Sequence, residues 1–431
     1  MKLNLLSIML VGSGLFLTAC GGDDKGDNST TSPNVNVDVN KIQNPVVSTP
    51  VAYEFTQDYP PNAAESVVMT YKMKGIKGKE TQATTLVFTP KTAPPAGGWP
   101  IVVWAHGAVG VANDCAPSKN RLITNTILTG EDKSTYNMID SFVKEGYVVV
   151  APDYEGLGEP STPGQTIDKE IHPFLNLKSE AYSITDAVVA TKSWLGNKAS
   201  NKWAVAGTSQ GGHAALGAAQ YAARANMDYK GVVAFAPANN LKLIEELSEM
   251  ALVDMQDFTI PKTLGYVALD TLTSYMAAGI KSVYPTKSVY SKIFNSPSVK
   301  VAEQAESLCL IELGIEFLGP MAEYALANEE SLKGYSSRKK AGFKNDPIVK
   351  QFLEKDSQPL QTVVKTPIII YQGGSDTIVL PQATDALVAQ ARALTTKIDY
   401  RTDPTWTHFS AYMVNVENGQ LLEDIKTLLA N

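Results

Sequence analysis

Ser209 lies between two glycines, in the run Trp203-Ala-Val-Ala-Gly-Thr-Ser-Gln-Gly-Gly-His213. A serine hydroxyl can attack a carbonyl carbon only if a neighbouring base accepts its proton and an acid holds that base in the right tautomer. The chain has four histidines, so the search for a base is short. His408, in Thr405-Trp406-Thr407-His408-Phe409, follows the last apolar strand-like run and precedes the closing helix-like segment, which makes it the candidate base. Asp376 ends Pro367-Ile-Ile-Ile-Tyr-Gln-Gly-Gly-Ser-Asp376 and is the candidate acid. Asp403, five residues before His408, is its main rival, and Asp385 falls on a predicted helix as a solvated carboxylate.

The elements around Ser209 raise it above a chance match. Trp203 to Ala206 is an apolar strand, and an Ala-rich helix follows Gln210. A serine on so sharp a strand-to-helix turn needs glycine on either side, where side chains would collide. The turn also aims the helix N-terminus at the hydroxyl, favouring a developing negative charge. Oxyanion donors are expected from the backbone N–H of Gln210 and from the Gly107-Ala108 loop that follows the apolar run Ile101–Ala105. His106 is read as structural, His213 as packing or capping, and His172 as a loop residue with a possible place in the cleft wall.

The other elements alternate. A hairpin is expected over Ser66–Lys74 and Thr81–Thr89, with a Pro/Gly-rich break at Pro90–Pro100. Further apolar strands are expected at Tyr147–Ala151, Gly231–Ala236, Pro367–Tyr371 and Ile398–Arg401, with helices over Ser179–Leu195, Gln382–Ala393 and Leu421–Leu429. Uniformly apolar strands alternating with helices predict an α/β fold, a mainly parallel, doubly wound sheet. Residues 239–362 break the alternation with irregular helices rich in Leu, Tyr, Met and Lys. They are read as a helical cap inserted into a core of residues 49–238 and 363–431.

The N-terminal end has a different composition. Lys2 precedes an apolar stretch, Leu5–Leu17, too short for a stable membrane anchor, as in an export signal over residues 1–19. Leu17-Thr18-Ala19-Cys20 resembles the lipobox of bacterial lipoproteins, which implies a lipidated Cys20 and an outer-membrane address, facing either the periplasm or the exterior. Residues 20–48, rich in Gly, Asp, Asn, Ser, Thr and Pro, read as a flexible tether. Cys115 and Cys309 then remain as an even pair in an oxidising compartment, open to a disulfide or to two buried thiols. A net charge of −7 without a basic cluster argues against a nucleic-acid partner, and no Cys/His spacing resembles a zinc site.

Three segments carry a wider resemblance: Trp104-Ala-His-Gly-Ala-Val-Gly-Val-Ala112 with Cys115-Ala-Pro-Ser118, Ala151-Pro-Asp-Tyr-Glu-Gly-Leu-Gly158, and Gly207-Thr-Ser-Gln-Gly-Gly212. Together with the late Asp376 and His408 they resemble the secretory lipase family of α/β-hydrolases, in which nucleophile, acid and base follow in that order. The resemblance implies a serine carboxylic-ester hydrolase without cofactor or metal, acting on lipid-like or other apolar esters under a helical cap. Asp153 in the second segment is read as structural. The competing readings are a polysaccharide-acyl (acetyl or feruloyl) esterase, a peptidase on the same fold, and a non-catalytic binding lipoprotein built on this scaffold.

Overall fold

Each apolar run sends alternate residues to opposite faces of one sheet, and both faces are covered by helices. The computed structural model describes residues 38–126, 130–158, 171–255, 260–285 and 288–431. The expected export segment, Cys20 and most of the expected tether lie outside these residues.

The chain opens with β1 (Val51–Ala52), β2 (Ala63–Lys74), β3 (Glu80–Pro90) and β4 (Trp99–Ala105). A small hairpin, β5 (Thr124–Thr126) and β6 (Gly130–Asp132), precedes α1 (Ser134–Lys144), β7 (Val148–Pro152) and α2 (Leu177–Leu195). Next come β8 (Ala199–Thr208), α3 (Gln210–Tyr221) and β9 (Asp228–Phe235). Among the described residues, six α-helices follow: α4 (Leu241–Asp254), α5 (Ile260–Val283), α6 (Val289–Ile293), α7 (Ser296–Glu303), α8 (Leu310–Ala327) and α9 (Pro347–Gln351). The chain closes with β10 (Ile368–Gly373), α10 (Pro381–Ala393), β11 (Ile398–Asp403), α11 (Ser410–Glu417) and α12 (Gln420–Ala430).

The main sheet has the order β1-β2-β3-β7-β4-β8-β9-β10-β11. From β7 to β11 every neighbouring pair is parallel, while β1, β2 and β3 join antiparallel. This is the α/β-hydrolase architecture, the mainly parallel sheet expected from the sequence, with the opening hairpin extending one end by antiparallel pairing. Val103, Val150, Val205 and Val232 pack with α2, α3 and α10 on one face. Their sequence neighbours Val102, Val149, Ala204 and Val233 pack with α1, α11 and α12 on the other. Burial on both faces is why these strands read as continuous apolar runs rather than alternating ones.

Between β9 and β10 the described residues form helices and no strand of the sheet. This region is more regular than the sequence suggested, with α5 running over 24 residues and α8 over 18. Its apolar core includes Tyr275, Ile280, Ile293, Phe317 and Met321. A buried ionic cluster also holds it together: Arg338 donates to Asp270 at 2.9 Å and to Glu249 at 2.8 Å, and Lys339 reaches Glu245 at 2.7 Å. Cys115, beyond the end of β4, is disulfide-bonded to Cys309 at the start of α8.

Candidate active site

Ser209 occupies the single residue between β8 and α3, with φ 56° and ψ −117°. A non-glycine residue at positive φ is costly and persists only where its surroundings impose it. Here the imposing contacts are backbone bonds. Ser209 N–H donates to Phe235 O at 2.9 Å, and Ser209 O accepts from His213 N–H at 3.0 Å and Ala238 N–H at 3.1 Å. The flanking glycines leave no room for a side chain. A Cβ on Gly207 would sit 2.2 Å from Gly211 O, and one on Gly211 would sit 1.9 Å from Ala105 O. Strand β4, the turn and α3 are therefore in backbone contact, and the serine is held outward at the carboxyl end of the strands.

The loop after β4 passes beside it. A Cβ on Gly107 would stand 3.5 Å from Thr208 O and 3.9 Å from Ser209 Cβ. Ala108, Ser209 and Gln210 share the wall of one cavity of about 510 Å³, together with Leu241, Ile244, Leu252, Leu264, Leu272 and Met276 from α4 and α5. Among the described residues, Ser209 Oγ makes no hydrogen bond.

Asp376 and His408 meet. His408 Nδ1 lies 2.9 Å from Asp376 Oδ2, with the carboxylate fully buried and the imidazole nearly so. Asp376 is satisfied on both oxygens. Oδ1 accepts from Ile378 N–H and Val379 N–H, each at 2.9 Å, and Oδ2 also accepts from Gln372 Nε2 at 3.2 Å. Already filled by backbone and amide N–H donors, Asp376 can only accept at Nδ1, so the hydrogen on Nδ1 points to the carboxylate and the lone pair is left on Nε2 of His408. The same carboxylate shapes the cavity, because Thr377, Ile378, Val379 and Leu380 all line it.

The rival carboxylates are committed elsewhere. Asp403 accepts from Thr405 N–H at 2.7 Å and from the Thr405 hydroxyl, bonds that hold its carboxyl below the usual aspartate range. Asp385 accepts from Tyr400 OH at 2.7 Å. Asp153 is buried beneath the loop after β4, where it accepts from Ser118 N–H at 2.9 Å and Thr84 Oγ1 at 2.6 Å; burial pushes its carboxyl upward.

The other three histidines are internal. His106 is fixed against the carbonyls of Gly107 at 2.7 Å and Asp153 at 3.3 Å, and burial lowers its pKa. His172 does not line the cavity, contrary to the possible place expected for it. It is fully buried, its Nδ1–H donating to Glu155 O at 2.8 Å, and burial pushes the imidazole down to about 4. His213 lies 2.6 Å from Glu180 Oε2 through Nδ1 and 2.9 Å from Ser357 O through Nε2. Sequence reasoning missed Gln372 and Glu180. Neither sits in a motif, and each acquires its role only from what the fold brings against it.

Comparison with known proteins agrees with this architecture. The sequence matches the secretory lipase family over residues 119–420, most of the chain. The chain belongs to the secretory lipase family. It is thereby a lipase/esterase-type hydrolase of ester bonds. A comparison with curated proteins gives no match. Among solved structures, lipase A of Candida antarctica in its closed state superimposes with a TM-score of 0.66 at 18% identity, covering 90% of this chain and 83% of that one. A rice cell wall degrading esterase from Xanthomonas oryzae gives 0.62 at 17%, covering 89% and 100%. A hydrolase from Legionella pneumophila gives 0.60 at 18%, covering 86% and 92%. At these identities the structural likeness speaks for the fold.

Proposed function

We propose that this secretory lipase family member is a serine carboxylic-ester hydrolase acting through an acyl-enzyme, with Ser209 as nucleophile, His408 as base and Asp376 as the acid that orients it. The observation that carries the reading is the Asp376–His408 pair at 2.9 Å, with the four residues after Asp376 lining the same cavity as the serine of a glycine-enforced turn. Ser209 Oγ attacks the ester carbonyl while His408 Nε2 takes its proton, and Asp376 stabilises the imidazolium. The carbonyl oxygen becomes an oxyanion held by the N–H of Gln210 and by the Gly107-Ala108 loop. His408 returns the proton to the departing alkoxide. Water, deprotonated by the same nitrogen, then cleaves the acyl-serine and releases the acid.

The substrate reading is an ester with an apolar acyl chain. The cavity beside Ser209 is walled chiefly by Leu, Ile, Met, Ala and Val side chains, and 510 Å³ is ample for a medium or long chain. Met255 and Leu264 line it and are also exposed at the surface, so its rim is apolar too. We further propose export under the N-terminal signal and membrane attachment through lipidated Cys20.

Turnover of p-nitrophenyl esters from acetate to palmitate, with Ser209→Ala alongside, tests the reading. Each methylene that enters the cavity is worth up to about 0.8 kcal/mol. kcat/KM should therefore rise by up to about fourfold per added CH2 until the cavity is full, and Ser209→Ala should abolish turnover while unfolding as the wild type does. Retained turnover in Ser209→Ala would sink the nucleophile assignment. Activity confined to acetate and butyrate would move the substrate to short acyl groups, such as those on carbohydrate.

A further inference from the structure

Glu180 takes no part in the ester chemistry above, yet its carboxyl is entirely buried on the first turn of α2. A carboxylate removed from water is costly unless its oxygens are filled by donors. All the donors here come from residues bordering the candidate site. Oε1 accepts from Leu175 N–H at 3.0 Å and from Gln210 Nε2 at 2.8 Å, while Oε2 lies 2.6 Å from His213 Nδ1.

Each bond leads to a different part of the site. Leu175 lines the cavity and is held at φ 56°, a left-handed conformation that needs an external tie. His213 Nε2 lies 2.9 Å from Ser357 O, on the segment returning from the helical region to the sheet, where Leu353 also lines the cavity. Gln210 is the residue whose backbone N–H follows the nucleophile. Its side-chain amide is held on both hydrogens: one goes to Glu180, and the other to His172 Nε2 at 2.7 Å. His172 Nε2 can accept because its Nδ1–H is spent on Glu155 O. The amide cannot turn without breaking two buried bonds, so Gln210 is gripped from its side-chain end while the turn grips it from its backbone.

We propose that Glu180 is a positioning residue for the oxyanion hole, fixing the Gln210 backbone N–H through the Gln210 side-chain amide and tying the cavity's return segment to it through His213 and Ser357. This rests on Ser209 being the nucleophile.

The test is a double-mutant cycle in the full chain with Glu180→Ala, Gln210→Ala and the double variant, plus Glu180→Gln. Readouts are kcat and KM on a p-nitrophenyl ester, the Kd of a boronic acid that forms a tetrahedral serine adduct, and thermal unfolding. Misplacing a catalytic donor by about an ångström costs on the order of 100-fold. Glu180→Ala and Gln210→Ala should each lower kcat by roughly 10- to 100-fold, with KM changed by less than about threefold and boronate affinity falling in step with kcat. The double variant should be no worse than the worse single one, because Glu180 reaches the oxyanion hole through the Gln210 amide that Gln210→Ala already removes. Glu180→Gln can still accept from Leu175 and Gln210 and donate to His213 Nδ1, so it should recover most of the turnover lost in Glu180→Ala.

Losses that multiply in the double variant, or that fall on KM alone, would overturn the proposal. Should Glu180→Ala fail to fold, Gln210→Ala decides the matter, and unchanged kcat and boronate affinity there would overturn it. A wild-type protein that neither turns over esters nor binds the boronate would overturn the proposed function and this inference with it. An active wild type with an unaffected Gln210→Ala would overturn the inference alone.

Discussion

The disulfide between Cys115 and Cys309 joins the loop beyond β4 to the first residues of α8, across 194 residues of sequence. Its surroundings are built around it. Leu310 N–H donates to Val109 O at 3.0 Å, Gly110 pairs with Cys309 as an isolated bridge, and Gly110 has φ 135°. A Cβ on Gly110 would lie 2.8 Å from Cys115 Sγ. Closing a loop of this length removes entropy from the unfolded chain worth about 5 kcal/mol at 25 °C. The paired substitution Cys115→Ser with Cys309→Ser should therefore lower unfolding free energy by up to about that amount. The urea midpoint, read by tryptophan fluorescence, should fall by on the order of 1 M. Wild-type protein in dithiothreitol should shift toward the double variant, and the double variant should not respond to reductant. kcat should fall more than KM changes, because Val109 lies one residue beyond Ala108 on the proposed oxyanion loop. A double variant unfolding within about 1 kcal/mol of wild type would refute the loop-entropy reasoning, and two free thiols in the oxidised protein at Cys115 and Cys309 would refute the bond itself.

His172 should make the fold acid-sensitive. Its imidazole is held neutral down to about 4 by burial, against 6.5 for the unfolded group, so the stability it contributes is present above pH 6.5 and lost as pH falls through 4. The loss is on the order of 3 kcal/mol, and the slope of unfolding free energy between pH 7 and 4 should flatten in His172→Asn. Gly211→Ala should abolish both activity and soluble expression, because its Cβ meets Ala105 O at 1.9 Å. Gly319→Ala on α8, with nothing within 4 Å, should raise the thermal midpoint slightly, which a melting curve reads. Cys20→Ser should shift the protein from the membrane fraction to soluble material on fractionation of expressing cells.

Much of the sheet was legible because strands buried on both faces leave uninterrupted apolar runs, as at Ile101–Ala105 and Val148–Ala151. The glycines around Ser209 were legible for a similar reason: an added Cβ would lie 2.2 Å from a backbone oxygen at Gly207 and 1.9 Å from one at Gly211, so no other residue fits. The helices between β9 and β10 were blurred by their own buried polar groups. Helix α5 turns Asp270, Thr273 and Ser274 inward, with Asp270 paired to Arg338 and Ser274 Oγ donating to Asp270 O, so its apolar period is broken where it packs best. Two-residue β1 and helix α11 carry too little pattern to be read at all. Gln372 and Glu180 were invisible because a buried polar residue is defined by its partners. Glu180 meets Gln210 across 30 residues of sequence and two helices.

The four histidines show what the fold adds to a short list of candidates. In sequence each could be a base, and only position along the chain separated them. In the structure they differ in how many ring nitrogens are already engaged. His106 faces two carbonyls, His172 a carbonyl and an amide, and His213 a carboxylate and a carbonyl. A ring with both nitrogens committed inside the protein cannot collect a proton from a hydroxyl and pass it on. His408 has Nδ1 on Asp376, while Nε2 has no hydrogen-bond partner among the described residues. The burial that disqualifies the other three also makes them useful, since His172 and His213, through Gln210 and Glu180, form the rigid bed under the turn from which Ser209 projects. The proposed base is the histidine whose Nε2 the described residues leave without a partner, while in the other three both ring nitrogens already face protein groups.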